Sequence, residues 1–336
     1  ESARVGWRSL GRSPGWGWIG GRSRSFGTAS QKEETMADFR GVFPAIITPM
    51  TPEGSLDEAA FREVMEFNIR EGVHGFWVAG GTGESVLLDD DENMRIAEIA
   101  ADQARGRIKN IMHVGAPTTW RAARMAENAA RAGVAAICCV PPFFYSPSDE
   151  AVVEHYRVVA AAADLPFFVY NLPQATGVEV TPDLMLKIQE GVPQLRGLKH
   201  SALTFSNVRD FAKMGLDCLI GNSYLMLPAL TIGATGCVDG PPNAAPELWV
   251  EIWNAYNDGD WARAEAAQDK ASEVTALVRQ FGLHNTMKVL LSERLGIDCG
   301  DPRPPGLPLK PEEQAEVLRR VSALGLTRVA VAYSRD

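Results

Sequence analysis

Lys199 ends a short apolar run, Leu195–Lys199, that reads as a buried strand. Burial disfavours an ammonium ion, so a lysine there is expensive, and the same cost favours a free amine that can attack a carbonyl. A lone lysine near a strand end is more often an amphipathic side chain whose stem packs while its head reaches water. Two other stretches shift that balance. Gly80-Gly81-Thr82-Gly83-Glu84-Ser85 follows another apolar run and offers backbone N–H groups and the Thr82 hydroxyl to an anion such as a carboxylate. No Lys-Ser/Thr follows, so it does not fit a phosphate loop. Glu84 reads as structural, bonded to neighbouring backbone. Tyr170 ends a third apolar run and by itself would be a core tyrosine with a satisfied hydroxyl. Together, an anion nest, a tyrosine and a buried lysine can bind a 2-oxo acid, form an imine with it and move protons.

Such a set needs elements that bring it together. From Gly41 a short apolar, β-rich run is followed by a longer helical pattern, and the pair repeats. The predicted strands are Val42–Thr48, Gly75–Ala79, Ile111–Gly115, Ala135–Val140, Phe167–Tyr170, Leu195–Lys199, Cys218–Ile220 and Thr235–Val238. The predicted helices between them are Leu56–Glu71, Asp91–Arg105, Thr119–Ala132, Asp149–Ala163, Pro182–Glu190, Ser206–Met214 and Tyr224–Gly233. In the first helix Phe61, Val64, Met65 and Ile69 share one face. Alternation of this kind means parallel strands with right-handed crossovers. The number of units and the near-continuous apolarity of the strands fit a closed (β/α)₈ barrel, with the active site at the C-terminal ends of the strands. All three chemical stretches fall there. After Pro246 only helices are expected, at Glu247–Asn257, Trp261–Gln280, Asn285–Leu295 and Pro311–Leu324. Asp301-Pro302-Arg303-Pro304-Pro305 reads as an extended linker before the last of them. The resulting division is a leader over residues 1–35, a barrel over 36–245 and a C-terminal helical extension over 246–336, packed on the barrel or on a neighbouring subunit.

The leader differs in composition. Up to Ser30 its only acid is Glu1, against Arg4, Arg8, Arg12, Arg22 and Arg24. Transit peptides share that bias, but this segment is too rich in Gly and Pro for a good amphipathic helix. Lys32–Thr35 fits a purine-rich ribosome-binding site read through in frame, which would make Met36 the natural start and the leader disordered or non-native. The net charge of −9 argues against nucleic acid as a partner, and no apolar run is long enough to span a bilayer. The five cysteines include no C-x-x-C and read as reduced, buried thiols of a cytoplasmic protein, or a mitochondrial one if the leader is a transit peptide. The five histidines have no ligand spacing, so no metal is expected.

From about Phe39 to Leu324 the chain resembles the dihydrodipicolinate synthase / N-acetylneuraminate lyase family of Schiff-base enzymes. The resemblance rests on an ordered set of pieces: Ala45-Ile46-Ile47-Thr48-Pro49, Gly80–Ser85, His113-Val114-Gly115-Ala116, Pro141-Pro142-Phe143-Phe144-Tyr145, Tyr170-Asn171-Leu172-Pro173, Gly197-Leu198-Lys199 and Gly233-Ala234-Thr235-Gly236. It implies a homotetrameric barrel without a cofactor. Lys199 would form the imine with pyruvate or another 2-oxo acid, Tyr170 would be the acid/base, and Thr82 with its neighbours, Gly81 among them, would hold the carboxylate. The chain also departs from the synthases. Gly81 stands where they carry a hydroxyl, Phe144 where they carry a tyrosine, and Ala175 where they carry an arginine for a second carboxylate. Their relay through those hydroxyls cannot operate here. Sialic acid lyases keep an Asp-Glu pair after strand seven, where this chain has Ser223-Tyr224, and a serine near Gly240. Ser201, Phe144 and the ending Pro302–Leu309 nevertheless resemble the lyase branch.

The expected function is therefore a class I 2-oxo acid lyase, similar to N-acetylneuraminate lyase, with pyruvate and an aldehyde as partners. The alternatives are a deoxy-oxo sugar acid dehydratase, a 4-hydroxy-2-oxoglutarate aldolase, a synthase-like enzyme, or a barrel that only senses a 2-oxo acid. Phe144, Ser201, Asn222, Val238 and Asp239 are the further candidate substrate contacts, Asp239 through a substrate hydroxyl. His200 should point away from Lys199 and pack. Lys288 should snorkel from its helix. With Lys199 the only basic residue recognised at the mouth, a neutral, hydroxylated aldehyde is expected to be preferred over aspartate semialdehyde.

Overall fold

The apolar runs fold as strands and the periodic stretches as helices in a computed structural model that describes residues 39–329. The predicted leader, 1–35, lies outside the described residues. The first half of the barrel is β1 (Gly41–Pro44), α1 (Glu58–Arg70), β2 (Gly75–Val78), α2 (Asp90–Ala104), β3 (Lys109–His113), α3 (Thr119–Ala132), β4 (Ala136–Cys139) and α4 (Asp149–Ala163). The second half is β5 (Phe167–Asn171), α5 (Pro173–Thr176), α6 (Pro182–Gly191), β6 (Leu195–His200), α7 (Asn207–Lys213), β7 (Asp217–Ile220), α8 (Met226–Thr231) and β8 (Gly236–Asp239). Four helices follow: α9 (Pro246–Asn257), α10 (Trp261–Phe281), α11 (Leu283–Leu295) and α12 (Pro311–Ala323).

All seven strand pairings are parallel, in the order β1-β8-β7-β6-β5-β4-β3-β2. The two ends of that order meet where Ala45 bridges Trp77 and the Ile46 amide donates to the Trp77 carbonyl at 3.0 Å. This closes a (β/α)₈ barrel. Most predicted elements shift by a residue or two at their ends, and three of the differences stand out. β3 starts two residues early, because the polar Asn110 belongs to the strand and donates to the Ala100 carbonyl at 2.6 Å. β1 is the regular part of its predicted run, Gly41–Pro44; beyond it the chain still pairs, the Ala45 amide donating to the Asp239 carbonyl at 2.8 Å. The Tyr224–Gly233 helix is split into a 3₁₀ turn at Ser223–Leu225 and α8.

Alternation along the strands sorts the side chains. Val42, Phe76, Val78, Met112, Ile137, Cys139, Val169, Leu198, Cys218, Ile220 and Cys237 join the apolar layer packed beneath the helices. The other parity fills the barrel: Phe39 stacks edge-on to Phe168 at 5.0 Å, and Trp77 meets Phe168 at 6.4 Å and Tyr170 at 5.5 Å. All five cysteines are buried free thiols. Among the described residues no helix is long and apolar enough to cross a membrane.

The helical extension folds onto the barrel. α9 packs against β1, and α11 against α1. Asn243, in the turn before α9, donates to the Ala45 and Gly240 carbonyls at 2.6 and 2.8 Å. The proline-rich linker is fastened by Arg303, whose guanidinium reaches Glu92 at 2.6 Å, the Leu87 carbonyl at 2.8 Å and the Gly54 carbonyl at 2.6 Å. The Arg303 amide donates to Glu84 Oε2 at 2.6 Å. Lys288 does not snorkel. Its Nζ lies 2.8 Å from Glu84 Oε1, and the two side chains are only 2% and 1% exposed. The same Nζ donates to the Asp301 carbonyl at 2.7 Å. The stem could not carry the head to water because the linker covers it.

Removing one partner of a buried pair strands the other charge and costs about 3–5 kcal/mol. Lys288→Met should lower stability by about that much in denaturant unfolding, and adding Glu84→Gln should restore part of it. A loss below about 1 kcal/mol, the ordinary value of an exposed pair, would contradict the arrangement.

Candidate active site

Lys199 on β6 is in register with Tyr170 on β5 and Leu219 on β7. Equal register and equal parity aim Lys199 and Tyr170 into the barrel near its C-terminal end. The Lys199 amine lies 4.4 Å from the Tyr170 ring centre and 5.5 Å from that of Trp77. Lys199 is 3% exposed, and among the described residues it has no ion-pair or hydrogen-bond partner. The contrast with Lys288 is direct: two buried lysines, one paired with a carboxylate and one without a polar partner.

Two interior residues that motif reading did not assign a role complete the wall. Trp77 is one. His113, on β3, packs perpendicular to Tyr170 at 6.0 Å. Burial, helped by the nearby Lys199, lowers His113 to about 4, against a smaller opposing effect of its hydrogen bond to the Ala79 carbonyl. It is therefore a neutral donor at neutral pH. The residue it holds, Ala79, has φ +49° and opens the glycine-rich turn.

That turn is shaped by close backbone approach. A side chain at Gly83 would come within 3.0 Å of the Ala79 Cα and 3.1 Å of the Ile46 carbonyl, and one at Gly80 would strike Trp77 at 2.7 Å. Thr48 donates to the Gly83 carbonyl at 2.8 Å. Glu84 takes a left-handed φ of +61°, held there by its contacts with Lys288 and Arg303. Among the described residues no acceptor engages the amides of Gly81, Thr82 or Gly83. A Cβ on Gly81 would lie 3.4 Å from the Tyr170 hydroxyl, so the turn faces the tyrosine across the mouth. Thr82 is buried beside Gly240. The turn, Tyr170 and Lys199 thus converge as their spacing suggested.

The remaining candidates divide. Val238 is buried in the wall, in register with Phe43. The Ser201 hydroxyl is buried without a partner and lies against Gly221, where a Cβ would come within 1.9 Å of it. His200 packs away from Lys199, accepting from Asn171 Nδ2 at 3.4 Å and stacking on Phe211 at 5.3 Å. Asp239 is held by the loops around it: its Oδ2 accepts from the Ser223 amide and hydroxyl at 2.8 and 2.9 Å, and its Oδ1 from the Gly240 amide at 2.8 Å. It shapes the β7 and β8 loops, and Oδ1 keeps a further acceptor position. Phe144, on the loop after β4, has φ +80° and is 87% exposed in the single chain, edge-on to Tyr145.

The expectation of Lys199 as the only basic residue at the mouth fails too. Arg279, near the end of α10, donates to Asn222 Oδ1 at 3.3 Å and lies 4.5 Å from the Tyr224 ring centre. His284, in the first turn of α11, bonds the Gly81 carbonyl through Nε2 at 2.9 Å. Both arrive from helices far along the chain, with no spacing signal to link them to the strand ends.

Comparison with known proteins agrees with this geometry. The sequence profile of the dihydrodipicolinate synthetase family matches residues 38–324. A 4-hydroxy-tetrahydrodipicolinate synthase of Methanothrix thermoacetophila is 35% identical over 295 residues, covering 85% of this chain and 98% of that protein. The crystal structure of dihydrodipicolinate synthase from Aquifex aeolicus superposes with a TM-score of 0.81 at 27% identity, over 86% of this chain and 99% of that one. Proteus mirabilis N-acetylneuraminate lyase superposes equally well, with a TM-score of 0.81 at 26% identity over 86% and 100% of the two chains. With the match running through the whole barrel and its helical extension, this chain is an enzyme of the lyase class and belongs to the dihydrodipicolinate synthetase family.

Proposed function

We propose that this enzyme makes or breaks a carbon–carbon bond next to pyruvate through an imine on Lys199. The observation that carries the reading is the unpaired Lys199 amine, buried beside Tyr170 and across from the glycine-rich turn. The 2-oxo acid carboxylate takes the amides of Gly81 and Thr82. That places its carbonyl carbon for attack by Lys199, with loss of water to the imine. In the cleavage direction Tyr170 takes the proton of the hydroxyl on the carbon being released. The carbon–carbon bonding pair moves into the imine, leaving an enamine and a free aldehyde. Protonation of the enamine and hydrolysis release pyruvate and restore the amine. The protonated imine is itself the electron sink, so the scheme uses no metal or organic cofactor.

Gly81 leaves the Tyr170 hydroxyl without a side-chain hydroxyl beside it on the turn, and exposed Gly81 opens that side to solvent. In this scheme water exchanges the tyrosine proton. Ala175 sits exposed on the short α5, where a synthase-type arginine would stand. We also assign the assembly as a homotetramer in the cytoplasm. Large apolar side chains exposed after β2 (Val86), at the start of α3 (Trp120) and after β4 (Phe144 and Tyr145) support an oligomer, and buried free thiols support a reducing compartment.

Product analysis tests the reading. A screen of 4-hydroxy-2-oxo acids should yield pyruvate and an aldehyde in equal amounts, and a dehydrated 2-oxo acid without aldehyde would contradict it. Lys199→Arg should abolish turnover, since a guanidinium cannot form the imine. Tyr170→Phe keeps the ring and removes the proton-transferring hydroxyl, so kcat for cleavage should fall about 10²–10⁴-fold. Cleavage by Tyr170→Phe at the unmodified rate would assign the proton to another group.

A further inference from the structure

The corner between α10 and α11 crosses the barrel mouth at a fixed height. His284 bonds the Gly81 carbonyl, and Leu283 fills the space above Gly240, where a Cβ would come within 2.5 Å of Leu283 Cδ1. Two points of attachment, at the ends of β2 and β8, hold this corner. They also fix Arg279, just before it, over the end of β7.

The guanidinium there is held by neutral groups. It stacks on Tyr224 and donates one bond to Asn222. Among the described residues no carboxylate pairs with it, whereas Arg62, Arg95, Arg107, Arg294 and Arg303 each have one. Asp239, the acid at the end of β8, directs its oxygens to Ser223 and Gly240. Stacking on an aromatic face leaves the edge donors of a guanidinium free, and those donors match a carboxylate. The position suits one part of a substrate only. Asn222 is three residues beyond Leu219, which is level with Lys199, and two beyond the end of β7; three residues of extended chain span at most about 10 Å. That is beyond pyruvate and within reach of the far end of the partner half.

We propose that Arg279 is the specificity-determining residue for the partner half and binds a carboxylate at its far end. The substrate class is then a 2-oxo acid with a second, distal carboxylate, made from or cleaved to an acidic aldehyde. This replaces the expectation of a neutral partner and supplies, from the helical extension, the cation that Ala175 does not. It rests on the imine reading above.

The test compares condensation of pyruvate with succinic semialdehyde and with erythrose, an acidic and a neutral hydroxylated aldehyde. The unmodified enzyme should have the higher kcat/KM for succinic semialdehyde. In Arg279→Met the ratio of the two kcat/KM values should fall roughly 10- to 100-fold, the effect of losing a charge-assisted bond. The fall should lie mainly in KM for the acidic aldehyde, and Arg279→Lys should recover part of it. A preference for erythrose in the unmodified enzyme, or an unchanged ratio in Arg279→Met, overturns the proposal. Equal losses on both aldehydes would do the same, because they mark a structural role. Reductive trapping of pyruvate on the same proteins separates the two readings. No trapped adduct in the unmodified enzyme refutes the imine reading as well, and an adduct with an unchanged ratio refutes only the role of Arg279.

Discussion

The buried pair between Glu84 and Lys288 is the interaction on which the site depends. Glu84 closes the glycine-rich turn in a left-handed conformation that a non-glycine side chain rarely adopts. Such strain persists where surrounding contacts overdetermine it. Here the contacts come from the far end of the chain, through Lys288 on α11 and the Arg303 amide in the linker. The helical extension is therefore part of the site. It holds the turn that presents the free amides, and its α10–α11 corner brings Arg279 and His284 to the mouth.

The same pair explains why two buried lysines have different fates. Lys288 meets a carboxylate and a carbonyl, so its charge is compensated and its role is structural. Lys199 meets the faces of Tyr170 and Trp77, which exclude water without neutralising it. His113 adds a neutral ring that holds Ala79 at the start of the turn and packs on Tyr170. What distinguishes Lys199 is the polar partner that its surroundings withhold.

Much of this was legible in the sequence. Strand–helix alternation gave the barrel, because parallel strands covered on both faces must be apolar and separated by crossovers. Lys199, Tyr170 and Thr82 were legible because polar groups at the ends of apolar runs are costly without a purpose. Three kinds of feature were not. The roles of Asp239 and Lys288 depended on partners brought in by tertiary contact, Ser223 for one and Glu84 for the other. Phe144 followed a motif position, but its residue type announced neither the positive φ nor the exposure it has. Arg279 and His284 lay in helices whose periodicity marks a face and says nothing about which barrel end that face covers.

The central claim is that the unpaired amine of Lys199 is the electrophile-capturing group. Borohydride reduction in the presence of pyruvate, followed by peptide mapping, measures it directly. The account predicts one reduced pyruvate per chain, carried on the peptide containing Lys199 and absent from Lys199→Arg. A label on Lys288, or no label at all, would contradict it.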